Sequence, residues 1–379
     1  MAVVIVAVVW SRPAGASTTI PGGNIINQTW TAAGSPYIVQ GDVIVPPGST
    51  LTIQPGVEVQ VASTDAQASG SDPTRVEFTI NGALNATGTS QAPILFHAQS
   101  GTTASIWTGI GIGAGASSAN IAFATISNAG TAISNLAPGT AFGAANLTIS
   151  ACLTGISVQA GTPALSNLTI SGVGAGVSYI ARGGGTLSSS IITGATSVGV
   201  LVNGIITTST VTVTNSTIYG GGGSGVRALS LEGGSVTLLI KNSIIAGNIS
   251  GVLVDTSASG TLVVSTTYSD VGNNATNFIS ASPGIGTFSA DPLFVNPPAD
   301  LRLKAASPCV GAGDTGQDIG ALGHLAPPPA VSALGRMVPL LALALVLLGL
   351  VALRSGALTP RSTTARGRRR PCVPRRPGR

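Results

Sequence analysis

Four charged residues in the second half of the sequence are the candidates for chemistry: Glu232, Lys241, Asp255 and Asp270. Carboxylates can hold calcium or transfer protons during the cleavage of a glycosidic bond, and a lysine can abstract a proton or stabilise negative charge. Glu232 and Asp255 are 23 residues apart and Lys241 and Asp270 are 29 apart, roughly one coil of the internal repeat described below. The spacing therefore predicts that they stack on one face of a repetitive fold.

The rest of the sequence offers little to such a site. No Asp or Glu occurs between Glu77 and Glu232, so this long central stretch cannot supply the paired carboxylates that glycoside hydrolysis requires. Isolated charges on a repetitive fold are usually solvated turn residues. We therefore expect no catalytic residue, with the four late residues as weak candidates, and we expect the protein not to be an enzyme.

Histidines and cysteines do not suggest a metal or a cofactor. His97 and His324 lie near opposite ends of the folded region, and the three cysteines, Cys152, Cys309 and Cys372, are too scattered for a zinc site or a disulfide framework. We interpret Cys152 and Cys309 as small buried residues and expect no cofactor and no bound metal.

Two glycine series suggest a dinucleotide-binding loop, but no helical pattern follows either of them. We interpret both as corners of a repetitive fold. The two series are Gly109, Gly111, Gly113 and Gly172, Gly174, Gly176.

An isoleucine recurs in short Thr- or Ser-flanked motifs through the middle of the chain, at intervals of 21 to 27 residues. A repeat of this length suits one coil of a three-stranded β-solenoid, in which equivalent residues stack about 4.8 Å apart. Each buried isoleucine would contribute about 1.5–3 kcal/mol. The six isoleucines are Ile126, Ile149, Ile170, Ile192, Ile218 and Ile245.

Two further positions follow the same register. A second apolar residue comes seven or eight positions after each isoleucine, at Ile133, Ile156, Val177, Val200, Val226 and Val252. An asparagine comes three positions before four of them, at Asn146, Asn167, Asn215 and Asn242. Asparagine tolerates left-handed backbone angles at a sharp corner and can bond to an asparagine in the next coil. The pattern predicts an all-β fold with two inner apolar columns.

The two ends of the chain carry targeting signals. An apolar run before Ala14-Gly15-Ala16 fits a signal peptide, although it lacks the usual basic start. Residues 337–353 are uncharged and almost wholly apolar, which is about the minimum for a membrane-spanning helix. The arginine-rich tail that follows would stay in the cytoplasm by the positive-inside rule. We expect an exported protein that is anchored in the cell envelope with its middle region outside.

The basic charge of the chain belongs to the C-terminal tail. The whole sequence has a net charge of +5, but residues 17–335 hold six basic and all 12 acidic residues. The external region is therefore acidic, and a nucleic-acid partner is not indicated.

From Gly41 to His324 the chain resembles the right-handed parallel β-helix superfamily typified by pectate lyases, on its Ile/Val columns and corner asparagines. Segments Pro47–Val61 and Thr79–Ala98 are similar to the first coils of bacterial surface β-helices. Asp291–Gly313 and Asp318–Gly323 are similar to the end of the choice-of-anchor Q domain proteins, with Cys309 and Gly311 as departures from that pattern. This family is usually exported and carries varied C-terminal anchors.

The C-terminal arrangement is also similar to a bacterial sorting signal, which implies a sorting protease as a partner, but the LPXTG and PEP motifs are absent. The resemblance implies a right-handed parallel β-helix followed by one transmembrane helix. The predicted regions are a signal peptide (1–16), an N-terminal lead-in or cap (17–40), the β-helix (41–324), a Pro-rich linker (325–336), the transmembrane helix (337–353) and a basic cytoplasmic tail (354–379).

We therefore expect a non-catalytic surface protein with an adhesive, structural or carbohydrate-binding role, whose partner is a polysaccharide or another envelope component. The alternative is a weak or degenerate polysaccharide lyase or glycoside hydrolase on the same fold, because a fold alone does not assign chemistry.

Overall fold

A computed structural model of the protein describes residues 17–139, 141–256 and 260–324. Within these ranges the chain forms 30 strands and a single short 3-10 helix, Ala32–Gly34. The first strands are β1 (Thr18–Ile20), β2 (Gly23–Asn24), β3 (Gln28–Trp30), β4 (Tyr37–Val39), β5 (Val43–Val45), β6 (Thr50–Ile53), β7 (Glu58–Val61), β8 (Glu77–Ile80), β9 (Ala83–Thr87), β10 (Ile94–Ala98), β11 (Gly109–Ile112), β12 (Ser118–Ser127), β13 (Thr131–Asn135), β14 (Phe142–Val158) and β15 (Ala164–Ser166). The remaining strands are β16 (Thr169–Ala181), β17 (Gly185–Ser188), β18 (Ile191–Thr193), β19 (Val198–Ile205), β20 (Thr208–Thr214), β21 (Thr217–Tyr219), β22 (Ser224–Leu231), β23 (Ser235–Lys241), β24 (Ile244–Ala246), β25 (Ser250–Val254), β26 (Thr261–Thr267), β27 (Asp270–Gly272), β28 (Thr276–Ile279), β29 (Phe294–Asn296) and β30 (Asp300–Leu303).

The strands from β1 to β28 pair in parallel with strands one coil away, and they form three ladders. The long strands β12, β14 and β16 turn corners and contribute to more than one ladder. Ladder A contains β1, β4, β7, β10, β18, β21, β24 and β27 with parts of β12, β14 and β16. Ladder B contains β2, β5, β8, β11, β13, β19, β22, β25 and β28 with parts of β14 and β16. Ladder C contains β3, β6, β9, β15, β17, β20, β23 and β26 with parts of β12 and β14.

The predicted inner columns are confirmed. The isoleucines from Ile126 to Ile245 pair coil to coil in ladder A, and each side chain is at most 1% exposed. The column from Ile133 to Val252 does the same in ladder B. Parallel register is what places one residue type at the same point of every coil, so the repeat in the sequence becomes a continuous core.

The three parallel ladders begin before residue 41 and end before residue 324, which were the bounds predicted for the β-helix. Thr18 already pairs with Tyr37, so the predicted lead-in, residues 17–40, forms part of the solenoid. Ladder B ends at Ile279. The antiparallel pair β29 and β30 follows it and belongs to a second apolar cluster against Ile244 and Ala246 on the flank of ladder A.

The corner asparagines adopt the predicted backbone but not the predicted bonding. Asn146, Asn167, Asn215 and Asn242 all have positive φ between 47° and 55°. Asn242 bonds to Asp314 of the C-terminal segment rather than to an asparagine of a neighbouring coil. The expected asparagine stack occurs instead at another corner, where the side-chain amide of Asn248 donates to Oδ1 of Asn274 at 3.0 Å.

A ladder of buried serines lies beside the isoleucine column, at Ser190, Ser216, Ser243 and Ser269. The backbone N–H of each of the first three donates to the hydroxyl of the serine in the next coil at 3.1–3.2 Å. Each hydroxyl donates in turn to a carbonyl two residues upstream at 2.8 Å. The ladder therefore satisfies buried corner amides, which would otherwise cost stability.

No helix long enough and apolar enough to cross a membrane occurs in residues 17–139, 141–256 and 260–324. The predicted signal peptide, linker, transmembrane helix and tail lie outside the described residues.

The isoleucine column makes a direct stability prediction. Replacing Ile170 by Asp puts an unpaired carboxylate in the core, and we expect the free energy of unfolding to fall by more than about 3 kcal/mol. Replacing Ile170 by Val removes one methylene and should cost about 0.5–1.5 kcal/mol. Guanidinium denaturation of both variants measures the difference. Equal denaturation midpoints for Ile170→Asp and Ile170→Val would contradict the placement of this side chain in a buried column.

Candidate functional site

A cleft of about 550 Å³ lies on the outer face of ladder B, over strands β8, β11 and β13. Its floor follows the outward column in which Thr79 pairs with Gly111 and Gly111 pairs with Ser134. Gly111 is the outward residue of β11 between the buried Ile110 and Ile112, and a Cβ there would meet only the carbonyl of Phe78 at 3.4 Å. Because this outward position carries no side chain, the sheet surface is recessed here.

One wall of the cleft is held in place by Arg75. Its guanidinium forms an ion pair with Asp72 at 2.5 Å and also donates to the hydroxyl of Ser105. A second donation reaches the carbonyl of Ser105 at 3.3 Å. Arg75 thus joins the loop before β8 to the loop before β11, and its positive charge is already balanced by Asp72.

Glu77 is the only carboxylate among the described residues that line the cleft. It is 8% exposed and accepts the backbone N–H of Ser71. Burial raises the pKa of Glu77, and the nearby negative charges of Asp42 and Asp72 raise it further. Asp42 itself is buried and accepts the backbone N–H of Glu77 at 2.9 Å. The cleft therefore contains one carboxyl group whose pKa lies above its usual range.

Hydroxyl groups make up most of the remaining polar lining, from Ser71, Thr79, Ser105, Thr108, Thr131, Ser134 and Thr154. The buried Oγ1 of Thr108 has no hydrogen-bond partner among the described residues. Leu136 and Leu153, which are 46% and 57% exposed, add an apolar edge. Hydroxyls can both donate and accept, and with an apolar edge they suit a ligand that is itself rich in hydroxyls.

This cleft was missed from the sequence because Gly109, Gly111 and Gly113 were interpreted as corners. That interpretation was wrong for Gly111, which lies within strand β11 between two buried isoleucines. It is confirmed for Gly172, whose φ is 60° where β16 turns from ladder A to ladder B. Gly113 follows the last residue of β11. The usable signal was the alternation with Ile110 and Ile112, both buried, which has the period of a strand.

The four predicted site residues do not share one stacked column. Lys241 pairs in register with Thr214 and Thr267, whereas Asp270 pairs with Ile244. Glu232 is exposed in the turn after β22, and Asp255 follows β25. The expectation of a single stacked face was therefore wrong, because the repeat length varies and the charges fall at different points of their coils.

Two of the four predicted site residues, Lys241 and Asp255, form ion pairs within the fold. Lys241 bonds to Asp314 at 2.5 Å and so links the solenoid to the C-terminal segment. Asp255 bonds to Arg227 of the preceding coil at 2.8 Å. Such pairs between partly exposed groups contribute little free energy but fix local geometry.

Asp270 is completely buried beneath the C-terminal segment. Its Oδ1 accepts the backbone N–H of Ala290 at 2.9 Å, and its Oδ2 lies 3.3 Å from the thiol of Cys309. Burial raises the pKa of Asp270 to about 6. Cys309 is free and buried, as is Cys152, which confirms the interpretation of both as buried residues.

The two histidines lie in separate ion pairs. Nε2 of His97 is 3.0 Å from Glu58, and Nδ1 of His324 is 2.7 Å from Asp318. Among residues 17–139, 141–256 and 260–324 no group of three or more His, Cys, Asp or Glu side chains is arranged to hold a metal ion.

Asp270 makes the stability of the fold depend on pH. In the folded chain its pKa is about 6 against a usual 3.8, so the folded state keeps a proton that the unfolded state has lost. The stabilisation that this proton gives to the folded state is fully present below about pH 4 and is lost as the pH rises through about 6. The free energy of unfolding changes by about 3 kcal/mol over this range. The Asp270→Asn variant should lose this dependence and be the more stable chain at about pH 7.

The matched control is Asp300→Asn, because an exposed pairing with Arg302 holds the pKa of Asp300 at about 2, below the tested window. Denaturation midpoints between about pH 4 and 7 measure the effect. A wild-type slope retained in Asp270→Asn would contradict the assignment.

One comparison with known proteins gave a match, and it agrees with this architecture. No curated protein and no solved structure matches the chain. A family model described as a right handed beta helix region matches residues 108–268. Together with the in-register parallel ladders, this match shows that the region is a right-handed parallel β-helix.

Proposed function

We propose that this protein is a non-catalytic surface protein that binds carbohydrate in the cleft over β8, β11 and β13. The observation that carries the proposal is the lining of the cleft: seven hydroxyl side chains, one carboxyl group and one arginine whose charge is balanced within the protein. A neutral saccharide matches this lining because it presents hydroxyls and apolar ring faces but no net charge.

The size of the cleft supports a small ligand or a short part of a polymer. Its volume of about 550 Å³ lies within the range of sites for small molecules. It lies on the outer face of a parallel ladder, where a longer chain could contact the neighbouring strands as well. A polysaccharide or another envelope component is the partner that we propose.

Export and anchoring belong to the same proposal. Their support is the apolar N-terminal run, the apolar stretch 337–353 and the arginine-rich tail. In this arrangement the solenoid lies outside the cell, where envelope glycans occur, and the anchor and a sorting protease would determine how it is retained.

Filling the cleft tests the binding role. Gly111→Phe places a ring over the floor, and its Cβ would lie 3.4 Å from the carbonyl of Phe78 without requiring positive φ. Glycan-array binding followed by calorimetry of the full chain should show at least about a tenfold loss of affinity, or about 1.4 kcal/mol.

The matched control is Gly143→Phe, an outward strand glycine on ladder C whose Cβ would meet only Asn120 at 3.8 Å. It should bind like the wild type. If both phenylalanine variants bind glycan with unchanged affinity, the cleft is not the binding site.

The alternative function is a weak polysaccharide lyase or glycoside hydrolase, and one observation favours it. Glu77 combines a raised pKa with a place in the cleft, which are the properties of a general acid. Hydrolysis by paired carboxylates needs a second acid across the substrate, and Glu77 is the only one in the described lining. We therefore favour binding without cleavage.

Product analysis distinguishes the two functions. We expect the wild type and Glu77→Gln to release neither reducing nor unsaturated sugars from a polysaccharide panel. Hydrolysis needs a second carboxyl group, and the basic side chain of the lining that elimination would use, Arg75, is ion-paired with Asp72. Chromatography of the digests is the measurement. Products that appear with the wild type and disappear with Glu77→Gln would establish the enzyme instead.

A further inference from the structure

One end of the cleft, where the chain enters ladder B, has a polar wall and an apolar wall on opposite sides of a glycine. Gly130, directly before β13, forms the bare floor between them. On the side of the earlier coils, a Cβ added to Gly130 would lie 3.5 Å from Oγ of Ser105 and 3.7 Å from Nη1 of Arg75. On the side of the following coil, the backbone N–H of Leu153 donates to the carbonyl of Gly130 at 3.0 Å. We name these four residues the notch.

The polar wall of the notch offers hydrogen bonds without a net charge. The guanidinium of Arg75 is bonded to Ser105 and paired with Asp72. The hydroxyls of Thr131 and Thr154, which pair in register, line the cleft beside it. The buried Oγ1 of Thr108, whose carbonyl accepts the N–H of Thr131, has no hydrogen-bond partner among the described residues. A ligand group that both donates and accepts therefore fits this wall.

The apolar wall of the notch is the side chain of Leu153, which is 57% exposed. Ile249 occupies the equivalent place in a later coil, because the residues that follow the two, Thr154 and Ser250, belong to one register column. Ile249 is also 57% exposed, but of the two only Leu153 is among the described residues that line the cleft. The notch is therefore polar on one side and apolar on the other.

This two-sided character indicates the substituent that the notch accepts. The strands β11 and β14, whose coils carry the two walls, are two strand spacings apart, or about 10 Å between backbones. An acetamido group presents a carbonyl oxygen and an N–H to the polar wall and a methyl to Leu153. A hydroxyl has no apolar part for Leu153. A carboxylate has none either, and it would meet the negative charge of Asp72 beside Arg75.

We propose that the notch binds the acetamido group of an N-acetylated saccharide, so that the cleft prefers such a sugar to one with a hydroxyl at the same carbon. This inference rests on the proposed binding of carbohydrate in the cleft and specifies its substrate class. Leu153 is then a specificity-determining residue, because its contact is with the methyl that only the acetamido sugar carries.

Calorimetry of the full chain with two tetrasaccharides tests the preference. Chitotetraose and cellotetraose have the same linkage and differ in one substituent of each ring, which is acetamido in the first and hydroxyl in the second. The wild type should bind chitotetraose at least about tenfold more tightly. Leu153→Ser should lower the affinity for chitotetraose to nearly that for cellotetraose. Ile249→Ser is the matched control, an equally exposed residue of the same column outside the cleft, and it should keep the wild-type ratio.

The outcomes separate this inference from the proposed function. Equal affinities of the wild type for the two tetrasaccharides overturn the inference and leave carbohydrate binding in the cleft standing. A preference that persists in Leu153→Ser, or that is lost equally in Ile249→Ser, overturns it as well. If the wild type binds neither tetrasaccharide, the inference is also wrong, and the glycan array with Gly111→Phe decides separately whether the cleft binds another saccharide.

Discussion

The structure depends on in-register parallel pairing between successive coils. Each coil supplies the backbone partners of the next, so the strand residues of one coil stand over equivalent residues of its neighbour. Inward, this constraint turns scattered isoleucines and valines into continuous columns. At the corners it aligns Ser190, Ser216, Ser243 and Ser269 so that each hydroxyl serves two coils. A substitution in one coil therefore affects the packing and hydrogen bonding of the coils on either side of it.

Outward positions have no such packing requirement, and there the chain differs from coil to coil. Ladder B is recessed where Gly111 occupies the outward position of β11, while ladder C keeps threonine and serine in rows. Charge is sparse on these faces. The ion pair of Arg227 with Asp255 joins neighbouring coils, and that of Lys241 with Asp314 holds the C-terminal segment to the solenoid. Among the described residues that line the cleft, Arg75 and Glu77 are the only charged side chains, which favours the neutral ligand that we propose for it.

The inner architecture could be predicted from the sequence because buried residues must recur once in every coil. Both apolar columns and the positive φ of the corner asparagines were predicted from this repeat. The cleft could not, because it depends on which loops stand beside the glycines, and Arg75 reaches Ser105 across 30 residues. Asp270 was selected for its charge, but its burial comes from the C-terminal segment and Cys309, which no local pattern indicates. Repeat length alone also misplaced the four late charges, because coils of unequal length shift their register.

Hydrogen exchange of the full chain, with and without a neutral oligosaccharide that it binds, tests the central claim most directly. Carbohydrate recognition on ladder B predicts slower exchange in residues 71–79, 105–113 and 130–136, which surround the cleft, with the oligosaccharide recovered intact. Slower exchange confined to the coils from Glu232 to Asp270, or cleavage of the oligosaccharide, would contradict it.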